Sequence, residues 1–137
     1  MKRLIPLLLL VLLLAQCKDK PDPTPVPGIE SIAGRWRGTE VIYQRGDSTV
    51  TESQNTDLFI RYDGVILYDG YASCCSRKTY LLNGTPFEVE PKEDVPQNPN
   101  CMLVDCMPCD LNLVTQSIDV MTIISCSGTQ NKYVRIK

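Results

Sequence analysis

The chain has 137 residues, a length that fits one domain with an N-terminal extension. It carries 14 basic and 16 acidic side chains, seven cysteines and no histidine. This composition offers no basic surface for nucleic acid, and it excludes a Ser–His–Asp triad or a Cys–His dyad within the chain.

Lys2 and Arg3 open the sequence, and residues 4–15 are apolar except for Pro6. A short positive segment followed by an apolar run of this length has the layout of a signal peptide and is too short to span a bilayer comfortably. Leu14-Ala15-Gln16-Cys17 then resembles a bacterial lipobox, with Gln16 where that pattern carries Gly, Ala or Ser. The resemblance implies cleavage after residue 16 and acylation, palmitate included, of Cys17. Removing residues 1–16 takes Lys2 and Arg3 away, which leaves 12 basic against 16 acidic side chains and a formal charge of −4. Residues 17–28 are expected to form a tether. Pro21, Pro23, Pro25 and Pro27 alternate there, and proline lacks the N–H donor that helix and central strand need. An extended stalk at about 3 Å per residue holds the domain about 30 Å from the membrane. Lys18-Asp19 resembles the start of lipoproteins sent to the outer membrane, on its periplasmic face or at the cell surface.

Residues 29–137 read as one all-β domain. Gly46-Asp47, Asp63-Gly64, Asp69-Gly70, Asn83-Gly84 and Ser127-Gly128 mark turns. Between them, runs rich in Val, Ile, Thr, Tyr and Phe predict strands near 35–45, 48–54, 57–62, 65–68, 77–82, 101–104, 110–115, 119–125 and 131–136. Leu58, Ile60 and Tyr62 fall on one strand face, opposite Phe59 and Arg61. Asp63-Gly64 suits a type I′ hairpin. Residues 91–100, with three prolines, read as a long loop. No window carries a 3.6-residue apolar period long enough for a helix of normal size. The expected architecture is a small antiparallel meander of about eight strands, closing into a barrel or a flattened sandwich.

Gly34-Arg35-Trp36 at the start of the first strand resembles the Gly-X-Trp signature of lipocalins and related small calycin barrels. Residues 131–137 resemble the closing strand of short bacterial lipocalin-like lipoproteins. The resemblance implies that Trp36 plugs one end of the barrel and that Arg135 packs across its ring. Such a cation–π contact is worth about 1–2 kcal/mol when partly desolvated.

With Cys17 assigned to lipid, six cysteines remain: Cys74, Cys75, Cys101, Cys106, Cys109 and Cys126. An exported chain without histidine favours disulfides over a metal. Cys101-x4-Cys106-x2-Cys109 also matches the first three ligands of a plant-type iron–sulfur site, with Cys126 as a possible fourth. Export of an unfolded chain to an oxidising compartment weighs against that cluster. Cys106-Met107-Pro108-Cys109 resembles a thioredoxin-type redox pair, but the alternating residues after it read as strand, whereas a reactive thiol wants a helix N-terminus or a nearby cation. If Cys74 and Cys75 lie in a strand their side chains point apart, so each is expected to take a different partner among the other four.

No catalytic motif stands out, and the chain is not read as an enzyme; no cofactor or metal is called for. Glu88, Glu90, Glu93 and Asp94 read as a solvated edge rather than as paired catalytic carboxylates. Two functions follow. One is a cup at the outer membrane, anchored through its N-terminal lipid and holding a small apolar ligand, with Leu58, Ile60, Leu67, Leu81, Leu113 and Ile123 as wall candidates; simple core is the preferred role for those six. The other is a solid-cored interaction lipoprotein, protease-inhibitor-like roles included, that touches protein or glycan through loops such as 91–100. A void of about 300 Å³ or more favours the first. The lipobox is directly testable: metabolic labelling with a fatty acid is expected to mark the wild-type protein and to leave Cys17→Ser unmarked.

Overall fold

The computed structural model describes residues 22–106 and 109–137. The expected signal peptide, Cys17 and the first tether residues lie outside that range. Within it the backbone forms β1 (Gly34–Arg45), β2 (Ser48–Ser53), β3 (Asp57–Ile60), β4 (Ile66–Tyr68), β5 (Tyr71–Ala72), β6 (Thr79–Leu82), β7 (Thr85–Glu88), β8 (Asn112–Ser117), β9 (Val120–Ile124) and β10 (Gln130–Arg135). One 3-10 turn, Pro99–Leu103, interrupts them. The domain is all-β, as expected, with ten strands rather than about eight. They form one curled sheet, a half-barrel, in the order β5-β4-β3-β1-β10-β9-β8-β6-β7. Every pairing is antiparallel except β6 with β8, so the sheet is mixed rather than a pure meander.

Strand β1 organises the sheet because it is long enough to hold three neighbours. One edge pairs with β10, and the other pairs first with β3 over Gly34–Arg37 and then with β2 over Glu40–Arg45. The change of partner coincides with a register shift between Gly38 and Glu40. The Gln54 side chain lies where a Cβ on Gly38 would sit and donates through Nε2 to the Glu40 carbonyl at 3.0 Å.

Local chemistry explains where the strands differ from expectation. Asp69-Gly70 and Asn83-Gly84 both have positive φ at each residue. That is the type I′ signature, and these two turns join β4 to β5 and β6 to β7. Asp63 has no positive φ, so Asp63-Gly64 is not the expected I′ turn. Gly64 N–H donates to the Arg61 carbonyl, and Arg61 N–H to that of Val65. The pattern is a type I turn closed by a left-handed glycine. Strand β7 contains Pro86 and lies at the sheet's end, the position that tolerates proline. The expected strand at 101–104 is instead the 3-10 turn: Pro99 begins it and Asn98 caps it, accepting from Asn100 N–H at 2.9 Å.

Alternation along the strands sends Trp36, Leu58, Ile60, Tyr80, Leu113, Met121, Ile123 and Tyr133 into one core, joined by Ile29 and Ile32 from the turn before β1. Val26 packs against the same core, and its N–H donates to the Tyr62 carbonyl. Residue 26 therefore already packs with the domain.

Trp36, near the start of β1, lies within this core. The ring is fully buried and Nε1 donates to the Ile32 carbonyl at 2.8 Å. Arg135, directly across the ladder, places its guanidinium 4.2 Å from the ring centroid. Its nitrogens also donate to the carbonyls of Ser31, Ala33 and Ile118. The arginine thus ties β10 to the N-terminal turn and to the β8–β9 turn. Gly34 permits this arrangement, since its φ is +127° and a Cβ there would stand 3.0 Å from Arg135 Nη1. The expected pairing of Trp36 with Arg135 is present. Trp36→Ala is expected to cost about 3–5 kcal/mol, measured by urea unfolding followed by circular dichroism. A loss within ~0.5 kcal/mol, as at a surface site, would contradict its place in the core.

Candidate functional site

A half-barrel leaves two sheet ends apart, here β5 and β7. Residues 89–97 run between them as a strap. At its start Val89 N–H donates to the Lys78 carbonyl, and at its end Ala72 N–H donates to that of Pro96, beside a bridge between Ala72 and Gln97. Its middle is held by a buried ion pair. Arg61 and Asp63 face each other with side chains 8 % and 0 % exposed. Arg61 Nε donates to Asp63 Oδ1 at 3.0 Å, and Nη2 donates to Oδ2. The remaining capacity of the pair is directed at the strap. Arg61 donates to the Asp94 and Glu93 carbonyls at 2.9 and 3.2 Å, and Asp63 accepts from Lys92 N–H at 2.8 Å. Tyr62 adds a hydrogen bond to the Glu93 carboxylate.

This corrects the expected facing of β3. Arg61 is buried, because the strand ends at Ile60 and the following turn brings its side chain under the strap. The acidic run belongs to the same device: the Glu93 and Asp94 carbonyls bind Arg61, while their side chains lie on exposed residues. Burial pushes the Asp63 carboxyl up, but Arg61 and the N–H groups of Lys92 and Val65 outweigh it and hold the carboxyl below its usual range.

Behind the strap lies a cavity of about 960 Å³. Val65, Ile66 and Tyr68 line one side, Tyr80 and Leu111 the other, and Val89 and Val95 come from the strap. Lys78, Glu88, Glu90 and Lys92 stand at its rim, all exposed, with Lys92 paired to Glu90 at 3.0 Å. Val65, Leu67 and Ala72 form a second small core that packs against Val89 and Val95. Gly64 sits where Phe87 crosses the turn; its φ is +85°, and a Cβ there would collide with the ring.

None of the six wall candidates named from the sequence lines this space. Leu58, Ile60, Leu113 and Ile123 belong to the main core and Leu67 to the second one. Leu81 is half-buried on the face of β6 opposite Tyr80 and Leu82. The residues that do line it carried little signal, since their positions depend on the route of the strap.

Three disulfides join Cys74 to Cys101, Cys75 to Cys106 and Cys109 to Cys126, with Cα separations of 5.0, 5.4 and 5.3 Å. The adjacent cysteines take different partners, as expected, although they stand in a turn rather than a strand. Cys106 and Cys109 are bonded elsewhere and not to each other, so no Cys-X-Pro-Cys redox pair forms. The four cysteines with iron–sulfur spacing are likewise all committed to disulfides. Cys75, Cys109 and Cys126 border the cavity. Bridges that close loops of 27, 31 and 17 residues each contribute about 3–4 kcal/mol on a chain-entropy estimate.

A second hollow, about 710 Å³, lies beside Ser117, Ile118 and Arg135. Its cation is already held by three carbonyls and the Trp36 ring. Compared with protein-family models, curated proteins and solved structures, the chain matches none.

Breaking a buried ion pair from one side costs about 3–5 kcal/mol, because the remaining charge is left unpaired. Asp63→Asn is expected to lower stability by that amount at pH 7. Since the folded carboxyl titrates below 3.8, the wild-type advantage is complete above that pH and is lost as pH falls through the lower folded value. Urea midpoints of the two proteins are therefore expected to stay apart from pH 7 to 5 and to converge below pH 4. A constant gap down to pH 2 would rule out ionised Asp63 as its source.

Proposed function

We propose that this chain is a lipid-anchored, lipocalin-like binding protein of the outer membrane that holds one small, largely apolar molecule. The cavity of about 960 Å³ behind the strap carries the reading. Its volume falls at the upper end of the range of about 300–1,000 Å³ typical of small-molecule sites, and mostly apolar walls with a few polar groups are the usual lining of such sites. The buried Trp36 ring under the Arg135 guanidinium, beside Gly34, supports the lipocalin resemblance. Acylation at Cys17 and the proline-rich tether would keep the domain near, but not in, the bilayer. The reading involves no catalytic step, cofactor or nucleic acid.

The solid-cored alternative assigns residues 91–100 to partner contact. In the fold most of that segment is strap, with its backbone turned toward Arg61 and Asp63. A binding measurement separates the two readings. Oxidised full-length Cys17→Ser protein, kept out of lipid by the substitution, is expected to bind N-phenyl-1-naphthylamine one to one. Leu111→Trp, which fills the wall, is expected to weaken that binding at least tenfold while unfolding at a similar urea concentration. No saturable binding by the unfilled protein would end the reading.

A further inference from the structure

The polar groups of the cavity wall are not equivalent. Tyr80 lines it, but its hydroxyl donates to the Gly64 carbonyl at 3.3 Å. Four charged groups, Lys78, Lys92, Glu88 and Glu90, belong to exposed residues of the rim; the fifth, Arg77, is half-buried and already has a partner. Tyr68 differs from both. It lines the cavity, its ring packs against the main core, and it directly opposes Leu58 and Tyr71 across the ladder. Its hydroxyl has no hydrogen-bond partner among the described residues. Burial alone pushes its pKa up.

A buried tyrosine hydroxyl normally finds a partner, and leaving one without any costs free energy. The Tyr68 oxygen is not among the atoms sealed from solvent without a partner; those are Asn112 Oδ1 and Thr122 Oγ1. Its hydroxyl therefore keeps an open side, and the space against Tyr68 is the cavity. Tyr133 stands within electrostatic reach and is also raised by burial, so the surroundings are desolvated on that flank too.

We propose that the cavity takes a neutral, largely apolar molecule carrying a carbonyl oxygen, which accepts a hydrogen bond from the Tyr68 hydroxyl. The inference rests on the binding reading above and narrows it from an apolar ligand to an oxygen-bearing one. Neutrality follows from the position. A carboxylate beside Tyr68 would lose its hydration with one phenol in return, and desolvating an unpaired charge is far costlier than desolvating a carbonyl. Lys78 and Lys92 stand at the rim, and Arg77, the half-buried cation of the lining, is already engaged. A bare hydrocarbon would fill the volume and leave the phenol without a partner.

Two molecules of nearly equal shape test this: 2-acetylnaphthalene, which carries the carbonyl, and 2-ethylnaphthalene, which does not. Affinities are measured by equilibrium dialysis with the oxidised full-length Cys17→Ser protein. The ketone is expected to bind about tenfold more tightly, the scale of one neutral hydrogen bond out of water. In Tyr68→Phe that preference is expected to fall within twofold of unity, and in Tyr71→Phe, whose ring is exposed, to persist. Labelling tyrosine Cζ with 13C adds a readout that needs no variant: the Tyr68 resonance is expected to shift with the ketone and not with the ethyl compound. Equal affinities in the parent protein would overturn the inference and leave the binding reading standing, as would a preference that survives Tyr68→Phe. Failure of both compounds to bind would remove the binding reading and this inference together.

Discussion

The buried ion pair of Arg61 and Asp63 decides whether this sheet encloses anything. A curled sheet with β5 and β7 at its ends has a gap, and the strap crosses it. The strap has no strand partner over most of its length, so its backbone groups need others. Arg61 receives two of its carbonyls and Asp63 one of its N–H groups. A buried pair alone is weak evidence for stability, because desolvation offsets much of the attraction. Here its remaining donors and acceptors are used to fix a segment that the hydrophobic effect holds only through Val89 and Val95. The pair acts as a positioning device, and the cavity is its consequence.

Trp36 and the cavity are packed on different principles. The largest side chain in the protein is fully buried, and a cation over its ring ties three segments together through carbonyls. The cavity wall instead joins strand residues such as Ile66, Tyr68 and Tyr80 to half-buried residues outside the strands, Val89, Val95 and Leu111. Binding sites gather on loops when a rigid scaffold holds them, and the packed core supplies that rigidity.

The disulfides act on the same part of the chain. Two of them border the cavity, and the three join residues outside the strands at 101, 106 and 109 to the turn at 74–75 and to the turn after β9. A segment without a ladder or an apolar stripe cannot offset its own ordering entropy. Crosslinks lower that cost by restricting the unfolded chain. A small sheet can thus keep a hollow without losing the walls around it.

Much of the fold was legible in the sequence because it rests on local rules. Period-two alternation over Leu58 and Ile60, the Asp-Gly and Asn-Gly turns, and the Gly34-Arg35-Trp36 opening gave an all-β domain with Arg135 over the buried Trp36. Pairing of Cys74 and Cys75 with separate, distant partners was also foreseeable, since adjacent cysteines rarely bond to each other without strain. Other features depend on meetings between residues far apart in the chain, and no local pattern encodes those. The two-residue strand β5 exists because β4 and Gln97 flank it. Arg61 reads as an outward residue by alternation, and only the return of residues 92–94 makes it a buried clamp. The same return separates the cavity wall from the core: Leu58 and Leu113 face neighbours on every side, whereas Tyr68 and Leu111 face the space beneath a strap. Sequence by itself determined which residues are apolar, where the chain turns and which face each strand buries. Tertiary structure alone decided which of the inward faces meet each other and which meet a void, because that depends on the path of a loop held by long-range hydrogen bonds.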